Sequence, residues 1–156
     1  MPLFDPKELL ECTKHLVHLD QEWFPKEDDS QLHVRYAHFS TEAVLGVKPP
    51  SNARIVAMLS PTSIKQKGLA VKAIKDVNKN WPLGHGQYTI SGNYGPLVPT
   101  ISEARQNGFD DIMWLQDNNI QDLTFFNLFF VMTNRYGIKK IYTPPDNGCI
   151  LNGVQR

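Results

Sequence analysis

Between Pro6 and Asp20 the apolar residues Leu9, Leu10, Cys12, Leu16, Val17 and Leu19 recur at three- and four-residue spacings, which sets most of them on one face of a helix. Asp5 suits the N-cap, because a short carboxylate accepts a bond from an otherwise orphaned backbone N–H, and Pro6 suits the first helical position. The acidic, proline-containing segment Pro25 to Ser30 reads as a loop. Two strand-like runs follow, Leu32 to Phe39 and Arg54 to Leu59. Gly46 and Pro49-Pro50-Ser51-Asn52 separate them, and the arrangement predicts an antiparallel pair.

Lys65 to Asn80 carries five lysines and few large apolar residues, so it predicts a connector with one short helix near Ala70 to Val77. Beyond it, Ile101 to Asn107 reads as the end of a helix closed by Gly108, Ile112 to Leu115 as a short buried strand, and Asp117-Asn118-Asn119 as a turn. Asn127 to Thr133 and Lys140 to Thr143 predict two more strands, joined through a hairpin loop at Asn134 to Gly137. Gly84-His85-Gly86 and Ser91 to Pro96 read as turns. Helices and strands alternate irregularly without an internal repeat, so the expected class is mixed α/β (α+β).

Composition narrows the choice of function. With 156 residues, 41% of them apolar, the chain is globular and holds one domain or two partial ones. Sixteen basic side chains balance sixteen acidic ones, which leaves no long-range field to recruit nucleic acid or an anionic membrane. No run approaches the roughly 18 apolar residues of a membrane span. The N-terminal segment carries neither a basic stretch nor an apolar one, and a cytoplasmic location is expected. Cys12 and Cys149 are too far apart in sequence for a metal-spacing pair and read as free thiols. His15, His18, His33, His38 and His85 show no ligand spacing, so no metal site is expected.

The second half carries a series of motifs: Ser91-Gly92-Asn93-Tyr94-Gly95-Pro96, Trp114-Leu115, Asn127-Leu128-Phe129, and Thr143-Pro144-Pro145-Asp146-Asn147-Gly148-Cys149-Ile150-Leu151-Asn152-Gly153-Val154-Gln155-Arg156. In order and spacing they resemble the branched-chain amino acid aminotransferases. Leu9-Leu10-Glu11-Cys12, Asp20-Gln21-Glu22-Trp23, Leu32-His33-Val34-Arg35 and Leu45-Gly46-Val47 resemble the segments that precede that core. The resemblance implies a partial type IV fold. Residues 1–61 resemble the end of the family's small domain, 62–80 a connector, and 81–156 the first part of the larger, barrel-like, cofactor-binding domain. A truncated chain, well under half of a typical member, is the expectation.

The family's reaction is pyridoxal phosphate-dependent transfer of an amino group from leucine, isoleucine or valine to 2-oxoglutarate, by a homodimer. Its lysine forms a Schiff base with the cofactor and moves the substrate proton, work that requires a primary amine. Aligned without a gap through Trp81 and Gly84-His85-Gly86, Thr89 stands where that lysine belongs, and no lysine occurs from Asn80 to Ile138. A threonine hydroxyl forms no imine, so the resemblance implies an inactive chain with no catalytic residue at 89.

By the same resemblance, Tyr94 contacts the cofactor's phenolic oxygen, Asp122 takes the place of the glutamate at the pyridine nitrogen, and Val154 and Gln155 lie in the phosphate loop. Arg35 lies near the substrate carboxylate, and His33 replaces a tyrosine two residues before it. Phe125 replaces a small hydroxyl residue, so its ring either intrudes on the pocket or turns aside. From the residues alone, Arg35 is equally an ordinary strand arginine and Asp122 equally a solvated turn residue. Three functions are therefore open: an inactive aminotransferase-like chain, an interaction module pairing with itself or with a full-length relative, and an active enzyme that uses another amine.

Overall fold

A computed structural model describes residues 2–63 and 68–154. The chain divides into two compact units, residues 1–67 and 68–156. The first opens with helix α1, Pro6–Leu19, where the Asp5 carboxylate accepts the Lys7 N–H at 2.8 Å and Pro6 occupies the first turn, as the sequence predicts. Strands β1 (Ser30–Ser40) and β2 (Ala53–Ser63) then pair antiparallel from Ser30 opposite Ser63 to Ser40 opposite Ala53. Each runs beyond the span expected of it, because an unbroken ladder satisfies the backbone groups of the flanking polar residues too.

Glu42 ties the ends of the long hairpin loop together. Its carboxylate accepts the backbone N–H groups of Ser51 and Asn52, and Lys48 lies 3.6 Å from its second oxygen. The Ser51 N–H, foremost among these contacts, holds the Glu42 carboxyl below its usual range.

The second unit is built on a three-stranded sheet: β3 (Val71–Ile74), β4 (Asp111–Gln116) and β5 (Asn119–Leu123). β3 lies parallel to β4, and β4 antiparallel to β5. Between β3 and β4 the chain leaves the sheet through α2 (Ser91–Tyr94), a 3-10 turn at Gly95–Leu97, and α3 (Val98–Gln106), as a parallel connection requires. Gly108, at φ +83°, closes α3 in the left-handed conformation that favours glycine. The turn from β4 to β5 places Asp117 at φ +50° and Asn118 at φ +61°, the paired positive values of a tight hairpin turn that aspartate and asparagine tolerate.

Leu97, Ala104, Ile112 and Trp114 form the core, each 1% exposed, with Ile74, Val77, Ile101 and Phe109 packed against them. The Trp114 indole N–H donates to Thr124 Oγ1 at 3.0 Å, so the largest core side chain buries no unsatisfied donor. A separate hairpin, β6 (Phe130–Thr133) and β7 (Lys139–Tyr142), turns at Asn134, whose Oδ1 accepts the Tyr136 and Ile138 N–H groups at 2.9 and 3.0 Å.

Four expectations change. Ser91 to Pro96, read as a turn, forms helix α2 and the start of the 3-10 turn that follows it. The helix expected near Ala70 to Val77 is replaced by strand β3, because pairing with β4 and burial of Ile74 and Val77 outweigh the weak helical preference of an Ala- and Lys-containing run. Asn119, read as the last residue of a turn, instead begins strand β5, and the pattern does not anticipate that strand. The strand expected from Asn127 begins only at Phe130, because the Asn127 side-chain N–H instead binds the Leu151 carbonyl at 2.9 Å. The mixed α/β class holds, with few helices and small sheets. Among the described residues no helix is long and apolar enough to cross a membrane.

Candidate functional site

At the end of β5, Asp122 turns inward and is 3% exposed, which removes the solvated alternative. Its Oδ1 accepts its neighbour's N–H, Leu123 N, at 3.0 Å, and its Oδ2 lies 3.4 Å from Lys79 Nζ. The Leu151 backbone N–H also favours the charged carboxylate. Lys79 comes from the loop after β3 and donates to the Leu123 carbonyl at 2.8 Å. Burial acts on both partners. It raises the Asp122 carboxyl and lowers the Lys79 ammonium, and their mutual attraction opposes each shift.

Neighbouring contacts fix this arrangement. Asn80 donates to the Cys149 carbonyl at 2.8 Å, which binds the post-β3 loop to the segment holding Cys149 and Ile150, 1% and 0% exposed. A Cβ added to Gly86 would lie 2.7 Å from the Gly148 carbonyl oxygen and 2.8 Å from the Asn80 side chain, so only glycine permits this approach. Asp111, 4% exposed, accepts the Ile112 N–H at 2.7 Å and the Thr124 N–H at 3.3 Å, and thereby fixes the chain leaving β5.

The loop before α2 is pinned by Asn93, whose side-chain N–H groups donate to the carbonyls of His85 and Tyr88 at 2.8 and 2.9 Å. Thr89 is exposed in that loop and Tyr94 is half-buried at the end of α2. Val154 is fully exposed, and Gln155 lies outside the described residues. Phe125 turns aside: it is 54% exposed, with the Arg105 guanidinium 5.9 Å from its ring centre. In the first unit, His33 and Arg35 are exposed two residues apart on β1, opposite Ser60 and Met58. They therefore project from the same side of the strand.

The second unit thus brings Asp122 to the Leu151 segment, three residues before Val154. Lys79 and Asn80, which contact Asp122, the Leu123 carbonyl and the Cys149 carbonyl, carry no signal of burial in the sequence. They sit in a lysine-rich run, and only pairing of β3 with β4 turns its end inward. Among the described residues no three histidine, cysteine, aspartate or glutamate side chains gather as a metal site.

Similarity to known proteins agrees with the motifs. Across the whole chain, 36% of aligned residues are identical to the cytosolic branched-chain-amino-acid aminotransferase of Mus musculus and 35% to the mitochondrial one of Bos taurus. Identity to the mitochondrial enzyme of Schizosaccharomyces pombe is 33%. The chain is a relative of the branched-chain amino acid aminotransferases. It spans 42% of the length of the mouse and bovine proteins and 38% of the fission yeast one. No protein-family profile matches the chain.

Pyridoxal phosphate, which the resemblance implies, can be tested against these side chains. Tethering it through an imine requires a reachable primary amine. Position 89 offers a hydroxyl, and the buried amine of the unit, Lys79, is held by Asp122 and the Leu123 carbonyl. Both Asp122 oxygens are already engaged inside the protein. Among the described residues, these side chains do not fit a lysine-tethered cofactor.

Proposed function

We propose that this chain is an aminotransferase-like protein of the branched-chain family that does not carry out the family's reaction. The reading rests on Thr89, which the resemblance puts in the register of the Schiff-base lysine, and on the observation that no lysine lies between Asn80 and Ile138 to replace it. General acid–base assistance alone is worth about 10²–10⁴ in rate, and loss of covalent tethering comes on top of that. The engaged state of Asp122 supports the same conclusion, since a ring nitrogen would have to share a carboxylate already bound to Lys79 and two backbone N–H groups.

On this reading the first unit derives from the end of the family's small domain and the second from the first part of its larger type IV domain. Tyr94, Val154 and Gln155 are remnants of cofactor contacts, and His33 and Arg35 of substrate contacts. A cytosolic location belongs to the same proposal. The test is amino transfer from leucine, isoleucine or valine to 2-oxoglutarate by purified protein supplied with pyridoxal phosphate. No turnover is expected, and sustained turnover by a homogeneous preparation overturns the reading.

A specific observation favours interaction as the retained role. The β6–β7 sheet has two strands, and Val131, Met132 and Ile141 on them, with Tyr136 and Ile138 in the turn between, are 55–72% exposed. Open strand edges beside apolar side chains favour pairing with another chain. Size-exclusion chromatography, alone and with a full-length relative, tests this. A complex is expected, and a well-behaved monomer that ignores the relative contradicts it.

A further inference from the structure

Three asparagines in this chain precede glycine, Asn107, Asn147 and Asn152, and the structure sets their chemistry apart. We propose that Asn147–Gly148 is a self-modifying site, at which the folded protein converts an amide into an aspartate or isoaspartate carboxylate. In this reaction the Gly148 backbone nitrogen yields its proton to solvent and attacks Cγ of Asn147. The new N–C bond closes a five-membered imide as the Cγ–Nδ2 bond breaks, and ammonia leaves with the departing proton. Solvent water then adds to either imide carbonyl, and reopening the ring gives aspartate or isoaspartate. No electrons are exchanged with any other group.

Two features favour the attack at Asn147. The Gly148 N–H is held only by a 3.5 Å contact to Asp146 Oδ1, at the outer limit of hydrogen bonding, so little is lost in freeing it. The Cys149 backbone N–H donates to Asn147 Oδ1 at 3.1 Å, on the oxygen where negative charge gathers as the nitrogen adds to Cγ. A fixed donor at a developing oxyanion lowers the barrier to addition. Asn147 is also exposed, and its Nδ2 rests on Gln121 at 3.4 Å, a weak restraint on the leaving group.

Asn107 lacks these features. The Gly108 N–H donates to the Arg105 carbonyl at 3.0 Å, and the Asn107 side-chain nitrogen donates to the Glu103 carbonyl at 2.8 Å, so nucleophile and side chain are both locked in the end of α3. Asn152 lies between them: the Gly153 N–H donates to the Leu151 carbonyl at 3.0 Å, and its own amide donates to Asp146 Oδ2 at 2.7 Å. Conversion at Asn147 reaches the interior, because isoaspartate inserts a methylene into the backbone directly before Gly148, Cys149 and Ile150. Those residues carry the close approach to Gly86 and the Asn80 bond.

The experiment incubates the full folded chain at neutral pH and physiological temperature, with a parallel sample in denaturant, and quantifies amide-to-acid conversion at each asparagine by peptide mass mapping. The expected result is conversion at Asn147 several-fold faster than at Asn107 in the folded chain, with Asn152 between. In denaturant the three rates converge. Equal rates at Asn107 and Asn147 in the folded chain overturn the proposal, as does an Asn147 that converts only when the chain is unfolded.

Discussion

Lys79 and Asp122, 43 residues apart in sequence, meet 3.4 Å apart with side chains 7% and 4% exposed. The pair bridges the loop after β3 to the end of β5, so it couples the parallel and antiparallel halves of one sheet. Its value lies in mutual compensation, because taking two charges out of water costs about what their attraction returns. Removing one partner is therefore expected to be worse than removing both. Lys79→Met or Asp122→Leu alone should cost about 3–5 kcal/mol, and the double variant should recover most of that loss. A double-mutant cycle from urea unfolding measures it. Simple addition of the two single losses would show that the ion pair is not coupled.

The same pair sets a pH dependence. Burial raises the folded-state Asp122 carboxyl above its unfolded value, so the folded chain binds that proton more tightly and stability falls as pH rises through the window between the two values. Lys79 has the opposite displacement: its lowered folded value contributes stability above the unfolded value, and this is lost as pH falls through the folded one. Lys79→Met deletes the attraction that limits the Asp122 shift. The variant is expected to regain stability relative to the parent as pH falls from about 7 to about 4. Urea midpoints across that range check it, and a constant difference between the two proteins contradicts it.

Two glycines six residues apart, Gly86 in the loop before α2 and Gly92 within α2, offer a contrast. A Cβ at Gly86 meets the Gly148 carbonyl at 2.7 Å, whereas one at Gly92 meets nothing within 4 Å. Gly86→Ala forces apart two backbone segments and is expected to cost about 1–3 kcal/mol. Gly92→Ala, in the short helix α2, is expected to be neutral or stabilising by about 0.4–1 kcal/mol, since alanine restricts the unfolded chain. Thermal unfolding of the two variants measures the difference.

Trp114 tests the core. Trp114→Phe keeps an aromatic ring among Leu97, Ile112 and Ala104 but removes the N–H that meets Thr124 Oγ1. Thr124 is 3% exposed, and its hydroxyl loses that partner, at an expected cost of about 1–3 kcal/mol beyond the lost volume. Adding Thr124→Val should reduce the loss, a result readable in the same unfolding experiment.

Much of this fold is legible in residue pattern. Asp5 and Pro6 start α1 as capping chemistry dictates, Gly108 stops α3, and Asp117-Asn118 turns β4 into β5. What escapes the pattern is set by partners distant in sequence. β3 is too short and too lysine-rich to announce itself, and it exists because β4 lies beside it. Asp122 is open in the sequence between a solvated turn residue and a cofactor contact, and only Lys79 and the Leu151 N–H, distant in sequence, bury it. For the site, the Ser91 to Gly95 motif marks helix α2 with Tyr94 and the loop before it with Thr89, whereas neither composition nor spacing shows that Lys79 is a buried amine of this unit.

The claim on which the functional account rests is that no amine in this protein tethers pyridoxal phosphate. Borohydride reduction of the purified chain after incubation with pyridoxal phosphate, followed by peptide mapping of the label, measures this directly. The account predicts only scattered, sub-stoichiometric labelling of surface lysines and none on Lys79. Stoichiometric label on one lysine would contradict it.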